Sequence, residues 1–328
     1  TIQFCASQRD NARIFKRYTY DTHTAHPQSI SVSNCERFLK EPWTTNKQAA
    51  LDAEFEHGYA KGKWFNFQRL QHNKTIKSRQ ELHAQLGLDP AKKTAVIYSH
   101  IFWDATFFYG KSLYPTYQRW YIETVKAACR NPALNWVIRV HPVNVWRLEA
   151  DGIKSEYYEK TIIAREIGPL PGHVKLLEPH ADVNTYSFFH GSDYCLTVRG
   201  TIGLECACFA IPVITAGSSR YSDMGFTIDP KSPQDYTKTL ARLQDVGPLN
   251  ADQTQLAKKY AHAILKLRPL PIRSFSIDYS TAKDTFHPLN GQLSIKVASL
   301  PEMRAAKDLK TFADWALHSK DPDLLAES

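Results

Sequence analysis

From Thr94 onward one pattern narrows the choice of fold more than any other. Compact, β-branched apolar runs alternate with amphipathic stretches of helical spacing. The apolar runs are "TAVIYSHI" (94–101), "NWVIRVHP" (135–142), "VKLLEP" (174–179), "YCLTV" (194–198) and "PVITAG" (212–217). Between and after them stand "YPTYQRWYIETVKAACRN" (114–131), "VNTYSFFHGS" (183–192), "TIGLECACFA" (201–210) and "SPQDYTKTLARLQDV" (232–246). Short apolar runs without polar alternation suit strands covered on both faces, and the intervening helices suit crossovers. The expectation is an α/β domain over 78–270 built on a doubly wound parallel sheet. Such sheets bind ligands beyond the carboxyl ends of their strands, so the residues that end each run become the candidates.

The flanks read differently. "SRQELHAQLGL" (78–88) opens the block with Ser78 and Glu81 in capping-box spacing and Gly87 as a stop. Residues 1–77 are irregular and aromatic-rich, with one helix expected over "NKQAALDAEFEHGYAKGKW" (46–64). Residues 271–328 follow Pro269 and Pro271 and are expected to carry one helix, "PEMRAAKDLKTFADWALHS" (301–319), packing back on the rest.

With 328 residues, 43% hydrophobic and 23% charged, the chain has the composition of a globular protein of one large or two ordinary domains. Its net charge of +8 favours an anionic partner. No run of five or six Lys and Arg occurs, which argues against a nucleic-acid arm. The six cysteines stand in apolar or helical contexts and read as reduced thiols of a cytoplasmic protein. No apolar stretch reaches the roughly eighteen residues of a membrane span, and no signal peptide is visible. The chain starts at Thr1 rather than Met, as a segment of a longer protein would.

Four strand ends carry chemistry. Arg199-Gly200-Thr201 joins "YCLTV" to a helix, where unpaired N–H groups, a hydroxyl and a guanidinium fork suit a phosphate. Glu205, in the first turns of that helix, is placed to accept from sugar hydroxyls. An ordinary strand–turn–helix connection capped by Thr201 fits the same residues. Arg139 and His141-Pro142 end a second strand, and His141 can donate to a departing phosphate or serve a structural role. Asp104 follows the first strand among aromatic residues, as a base, a nucleophile or a helix cap. Glu178 ends "VKLLEP", where loops could read a base.

The strings "HP" (141–142), "RGTIGLE" (199–205), "IPVITAG" (211–217) and "RYSDMGFTIDP" (220–230) resemble the nucleotide-binding half of GT-B-type glycosyltransferases. They are similar in particular to bacterial capsule and surface-polysaccharide enzymes, which include the retaining β-Kdo transferases; Kdo is an eight-carbon acidic sugar. The resemblance covers roughly half the chain. It implies a nucleotide-sugar donor, CMP-linked, with His141, Gly200 and Thr201 on its phosphate and Glu205 near ribose or sugar hydroxyls. Arg139, Pro142, Glu178, Arg199, Ser218 and Tyr221 complete the implied donor set. By order and location it implies Asp104 as a nucleophile that forms a glycosyl–enzyme adduct. Residues 1–77 would be an acceptor-side region, too short for a full Rossmann domain. No metal is implied, and the only Asp-x-Asp, at 321–323, is expected to be solvated. The acceptor would be a glycan or lipid-linked glycan, reached by peripheral contact at the inner membrane face, where Trp43 and Trp64 could take part while Trp120 is expected in the core. A non-catalytic nucleotide- or carbohydrate-binding module and a nucleotide-sugar epimerase are the competing functions.

Overall fold

The computed structural model describes residues 1–64, 71, 73–102, 110–141, 143, 158–278 and 291–326. The chain forms two compact units, one of residues 1–72 with 258–328 and one of residues 73–257.

The first unit begins with an antiparallel hairpin, β1 (Ile2–Ala6) and β2 (Ala12–Arg17), followed by α1 (Val32–Lys40) and α2 (Thr45–Phe55). The helix expected over 46–64 ends its α-geometry at Phe55 and continues as a π-helical turn, Glu56–Ala60. There Trp64 lies so close to Gly58 that a Cβ would strike its ring, which is why the turn takes glycine.

In the second unit α3 (Arg79–Leu86) carries the expected capping box between Ser78 and Glu81, with Gly87 left-handed at its end. Then come β3 (Thr94–Tyr98), α4 (Tyr117–Cys129), β4 (Asn135–Arg139), α5 (Glu159–Glu166) and β5 (Val174–Leu177). A 3₁₀ turn (Thr185–Ser187) leads into α6 (Phe188–Gly191), β6 (Tyr194–Thr197), α7 (Thr201–Cys208), β7 (Val213–Thr215) and α8 (Pro233–Ala241). The five strands pair in parallel in the order β5-β4-β3-β6-β7. This is the doubly wound α/β sheet expected from the sequence. Every residue of β3, β4, β6 and β7 is buried, as strands covered on both faces must be. Trp120 on α4 belongs to this core, its indole N–H donating to the Tyr236 hydroxyl at 2.9 Å. Strand order reverses at β3, so the exits of β3 and β6 flank the switch point.

Helix α9 (Ala251–His262) carries the chain back to the first unit, which adds β8 (Leu270–Pro271), β9 (Phe275–Asp278), β10 (Gln292–Ile295), α10 (Leu300–Ala305) and α11 (Lys307–His318). Residues 258–270, expected with the sheet domain, group instead with the first unit. The reason is local: β8 pairs with β2, and the Gln8 amide donates to the Leu265 carbonyl at 2.9 Å. The single helix expected over 301–319 is two, because Ala306 is extended (ψ 121°). Asp308, in the first turn of α11, accepts the Arg273 and Ser274 N–H groups at 2.7 and 2.8 Å and so ties that helix to the approach of β9.

The Asp-x-Asp expectation is overturned. Asp323 is 1% exposed, bonded to Lys16 at 3.0 Å and near Arg268 at 3.4 Å, while Asp321 accepts from the Asn34 amide at 2.7 Å. The ion pairs draw the tail inward. Trp64 is also buried, with its N–H on Glu54 at 2.9 Å, and Trp43 is half-buried with its N–H on Gln48 at 3.1 Å. Neither is a free aromatic anchor. All six cysteines are free thiols. Among the described residues no helix is long and apolar enough to cross a membrane.

Candidate functional site at the strand ends

The exits of β3, β4 and β6 bring together Ser99, His100, Arg139, His141, Thr197, Arg199 and Gly200, all within the second unit. The parallel register sets this up: Tyr98 pairs with Arg139 and Ile97 with Leu196, so the three strands end level.

His141 leaves β4 and is half-buried. Its backbone N–H donates to Ser99 Oγ at 2.7 Å, and its Nδ1 accepts the Val143 N–H at 3.2 Å. A backbone N–H can only donate, so the neutral ring carries its proton on Nε2. Burial, reinforced by the Arg139 guanidinium, pushes His141 down to about 4. At neutral pH it is a neutral donor. Arg139, itself buried, donates to Thr185 Oγ1 at 2.8 Å and lies over the Phe188 ring at 5.3 Å.

Gly200 caps α7, and its N–H donates to Thr197 Oγ1 at 3.1 Å. Thr201 is the first helical residue, not the cap, so its N–H and hydroxyl stand in the first turn. Arg199 is 4% exposed and donates to Ser112 Oγ and, at 3.3 Å, to the Lys111 carbonyl. Its guanidinium also lies 5.8 Å from the centre of the Tyr117 ring. Gly217 lets this arginine in, since a Cβ there would stand 3.0 Å from its Nη2. Ser218 N–H donates to the Lys111 carbonyl at 2.7 Å, tying the β7 exit to the same loop.

Three expected residues serve the turn or the edge instead. Tyr221 is fully buried beneath the turn, where its hydroxyl donates to the Gly200 carbonyl at 2.6 Å. Only glycine fits at position 203, because a Cβ would collide with that hydroxyl. Glu205 is 1% exposed, with the Tyr98 phenol and Cys206 thiol in its field, so it points into the unit. Glu178 sits at the edge strand β5, accepting from the Tyr158 hydroxyl with Lys160 at 3.8 Å. Asp104 and Pro142 lie outside the described residues.

Sequence reasoning missed four contributors. His100, which lies inside the run "TAVIYSHI", touches both the β6 exit and α4. Burial, with His141 and Arg199 adding to it, pushes its imidazole down to about 3. Ser99 and Glu159 hold the His141 backbone, with Glu159 Oε1 also 3.3 Å from that N–H. Lys74 reaches the Pro179 carbonyl at the end of β5, and burial with Arg139 nearby pushes it down to about 8. The spacing of residues after each apolar run points to Ser99 and His100; nothing in the sequence marks Glu159 or Lys74.

Two arginines, two neutral imidazoles and a helix N-terminus thus gather at the strand ends of a doubly wound sheet, with the buried Glu159 carboxylate bonded to Ser99 among them. Among the described residues no three His, Cys, Asp or Glu side chains converge as a metal site requires. No protein-family model matches the chain, and no curated protein matches its sequence. Among solved structures it is similar to the β-Kdo 2,4 transferase of Thermosulfurimonas dismutans KpsC, at 17% identity over 83% of this chain and 68% of that one, with a TM-score of 0.44. The β-Kdo 2,7 transferase of the same protein gives 13% identity over 92% and 73%, with a TM-score of 0.41. The UDP-GlcNAc 2-epimerase from Neisseria meningitidis, bound to UDP-GlcNAc, gives 14% identity over 57% of this chain, a TM-score of 0.37, and coverage of only 46% of its own length.

Proposed function

We propose that the strand-end site holds the phosphate of a nucleotide-sugar donor and that the chain is a glycosyltransferase of the GT-B type. In its particular form the reading is a retaining transfer of Kdo from CMP-β-Kdo to a bacterial surface polysaccharide or its lipid-linked precursor. One observation carries the general reading. His100 lies against the Gly200 turn at the N-terminus of α7 with Arg199 and His141 acting on it, Arg139 acts on His141 from the end of β4, and burial with this positive charge keeps both imidazoles neutral.

The chemistry follows from those groups. When the sugar C2–O bond breaks, CMP leaves with the electron pair and its phosphate gains one negative charge. His141 Nε2–H, Arg199 and the first N–H groups of α7 would take up that charge, in place of a cation. His141, whose Nδ1 already accepts the Val143 N–H, would hydrogen-bond the leaving phosphate oxygen through Nε2–H and keep its proton. The nucleophile in this reading is Asp104, a role that rests on the resemblance alone. Its carboxylate would form the bond to C2, and the acceptor hydroxyl would displace it with loss of a proton; two inversions retain configuration. Glu205 and Glu178 are left without a donor contact in this reading, and Tyr221 supports the turn.

A thermal-shift series with CMP, CDP, UDP and GDP tests the donor, because a ligand that binds the native state raises the melting temperature. CMP is expected to give the largest shift. Intact-mass measurement after CMP-β-Kdo alone should show one Kdo added, and Asp104→Ala should abolish it. A larger shift with UDP, or conversion of a UDP-sugar with no acceptor present, would replace this reading with the epimerase one.

A further inference from the structure

The two residues that leave β3 reach in opposite directions, as successive residues of an extended chain do. Each grips the exit of a neighbouring strand. Ser99 Oγ accepts the His141 N–H at 2.7 Å and donates to the Glu159 carboxylate, which is wholly buried on α5. On the other side His100 Nε2 accepts the Val198 N–H at 3.0 Å and lies 3.0 Å from Thr197 Oγ1. The Thr197 oxygen in turn accepts the Gly200 N–H at 3.1 Å. The His100 ring is stacked on Tyr117 at 4.6 Å between centroids and meets Trp120 edge-on at 5.6 Å. Its Cε1 would stand 3.7 Å from a Cβ on Gly200, so ring and turn are in contact.

A residue needed only to fill this space would be apolar. What the position requires is an acceptor at a fixed height on a flat ring, because the Val198 N–H is directed into it. With Nε2 accepting, the proton sits on Nδ1 and the ring is neutral. The nitrogen that faces the turn is therefore committed to the backbone.

We propose that His100 is the positioning residue of the donor site: it fixes the Val198–Gly200 turn across the switch point, at a set distance from His141, whose backbone Ser99 and Glu159 fix from the other side. This rests on the nucleotide reading and adds what holds the phosphate turn in place. His100 acts through the turn, so its loss should weaken the hold on phosphate and leave the hold on base and sugar alone.

The test compares CMP with cytidine, which lacks the phosphate, by isothermal titration of the full chain. In His100→Phe, which keeps the stacked ring without the acceptor, CMP affinity should fall by about tenfold or more, the order of one lost charge-assisted hydrogen bond. Cytidine affinity should not move. His100→Gln, whose amide oxygen can accept the Val198 N–H, should recover most of the loss. Should His100→Phe fail to fold, Thr197→Val removes the acceptor of the Gly200 N–H at nearly constant shape and should narrow the same gap. An unchanged CMP-to-cytidine ratio in the folded variants, with the parent still binding CMP, overturns the positioning role and spares the nucleotide reading. A parent that binds no nucleotide overturns both.

Discussion

Each unit buries a cluster of charges, and the two clusters follow opposite plans. In the first unit Lys16, Arg268 and Asp323 are 3%, 0% and 1% exposed and carry both signs. Asp323 also accepts the Ser31 N–H at 2.7 Å and the Asn34 amide at 3.1 Å, while Arg268 donates to the Phe15, Pro27 and Leu324 carbonyls. Burial pushes the Asp323 carboxyl up, but Arg268, Lys16 and the Ser31 bonds outweigh it and hold it below the ordinary range. In the second unit burial drives both imidazoles down, and the charged groups that add to it, on His100 and His141 alike, are cationic. A cluster that contains its own counter-charge fastens the chain to itself. At the strand ends the Glu159 carboxylate is turned to Ser99 and the His141 N–H, and the charges acting on both imidazoles are cationic, which suits that end of the sheet to an anion from outside.

The difference is easiest to break by deletion. Asp323→Ala leaves two buried cations without their carboxylate, and breaking such a pair costs about 3–5 kcal/mol. Denaturant unfolding should show that loss, with hydrogen exchange placing it in residues 1–64 and 258–278, while CMP affinity of the folded protein is unchanged. Arg199→Gln should do the reverse. CMP binding by titration should weaken about a hundredfold, near 3 kcal/mol for the loss of charge-assisted bonds, while unfolding free energy falls by about 1–2 kcal/mol for the Arg199 bonds to Ser112 and the Lys111 carbonyl, short of the Asp323 loss. Equal losses of stability in the two variants would erase the distinction.

Acid should separate the units next. His100 and His141 titrate at about 3 and 4 in the fold, below the 6.5 of an unperturbed imidazole. The unfolded chain therefore binds more protons below pH 6.5. The stability these groups contribute is complete above that value and falls with pH until each folded pKa is passed, by up to about 1.4 kcal/mol per unit for each histidine. Asp323 is also lowered, so its contribution is kept above the ordinary carboxylate range and lost only as pH falls further. His57 and His262 in the first unit are displaced downward too, chiefly by burial. Hydrogen exchange between pH 7 and 4.5 should show protection in β3, β4 and β6 declining first, and His100→Gln should flatten the decline. The smallest effect belongs to Tyr221→Phe. Losing its bond to the Gly200 carbonyl should cost about 1 kcal/mol in denaturant unfolding, with a several-fold weaker hold on CMP.

The sheet was legible because buried parallel strands are apolar without interruption, as "VIY" in β3 and "WVI" in β4 show. Ser78, Glu81 and Gly87 were legible because a capping box and a left-handed stop are local. The first unit was not. Its third strand arrives from Leu270 to pair with Arg13, and no local periodicity encodes a partner so far along the chain. Asp321 and Asp323 misled for the same reason: a polar tail is solvated unless distant cations claim it. At the site, Arg199, Gly200 and His141 could be chosen because they follow apolar runs. Glu159 could not, since its reach to the Ser99 hydroxyl and the His141 backbone depends on how α5 packs. Glu205 and Tyr221 were misjudged because nearness in sequence to the turn says nothing about which way a side chain faces.

A crystal structure with CMP bound would decide whether the strand ends hold a phosphate. The phosphate is expected within hydrogen-bond distance of His141 Nε2 and of the Thr201 N–H in the first turn of α7, with the Arg199 guanidinium beside it. A phosphate bound away from the exits of β4 and β6, with those groups facing water, would contradict the proposal.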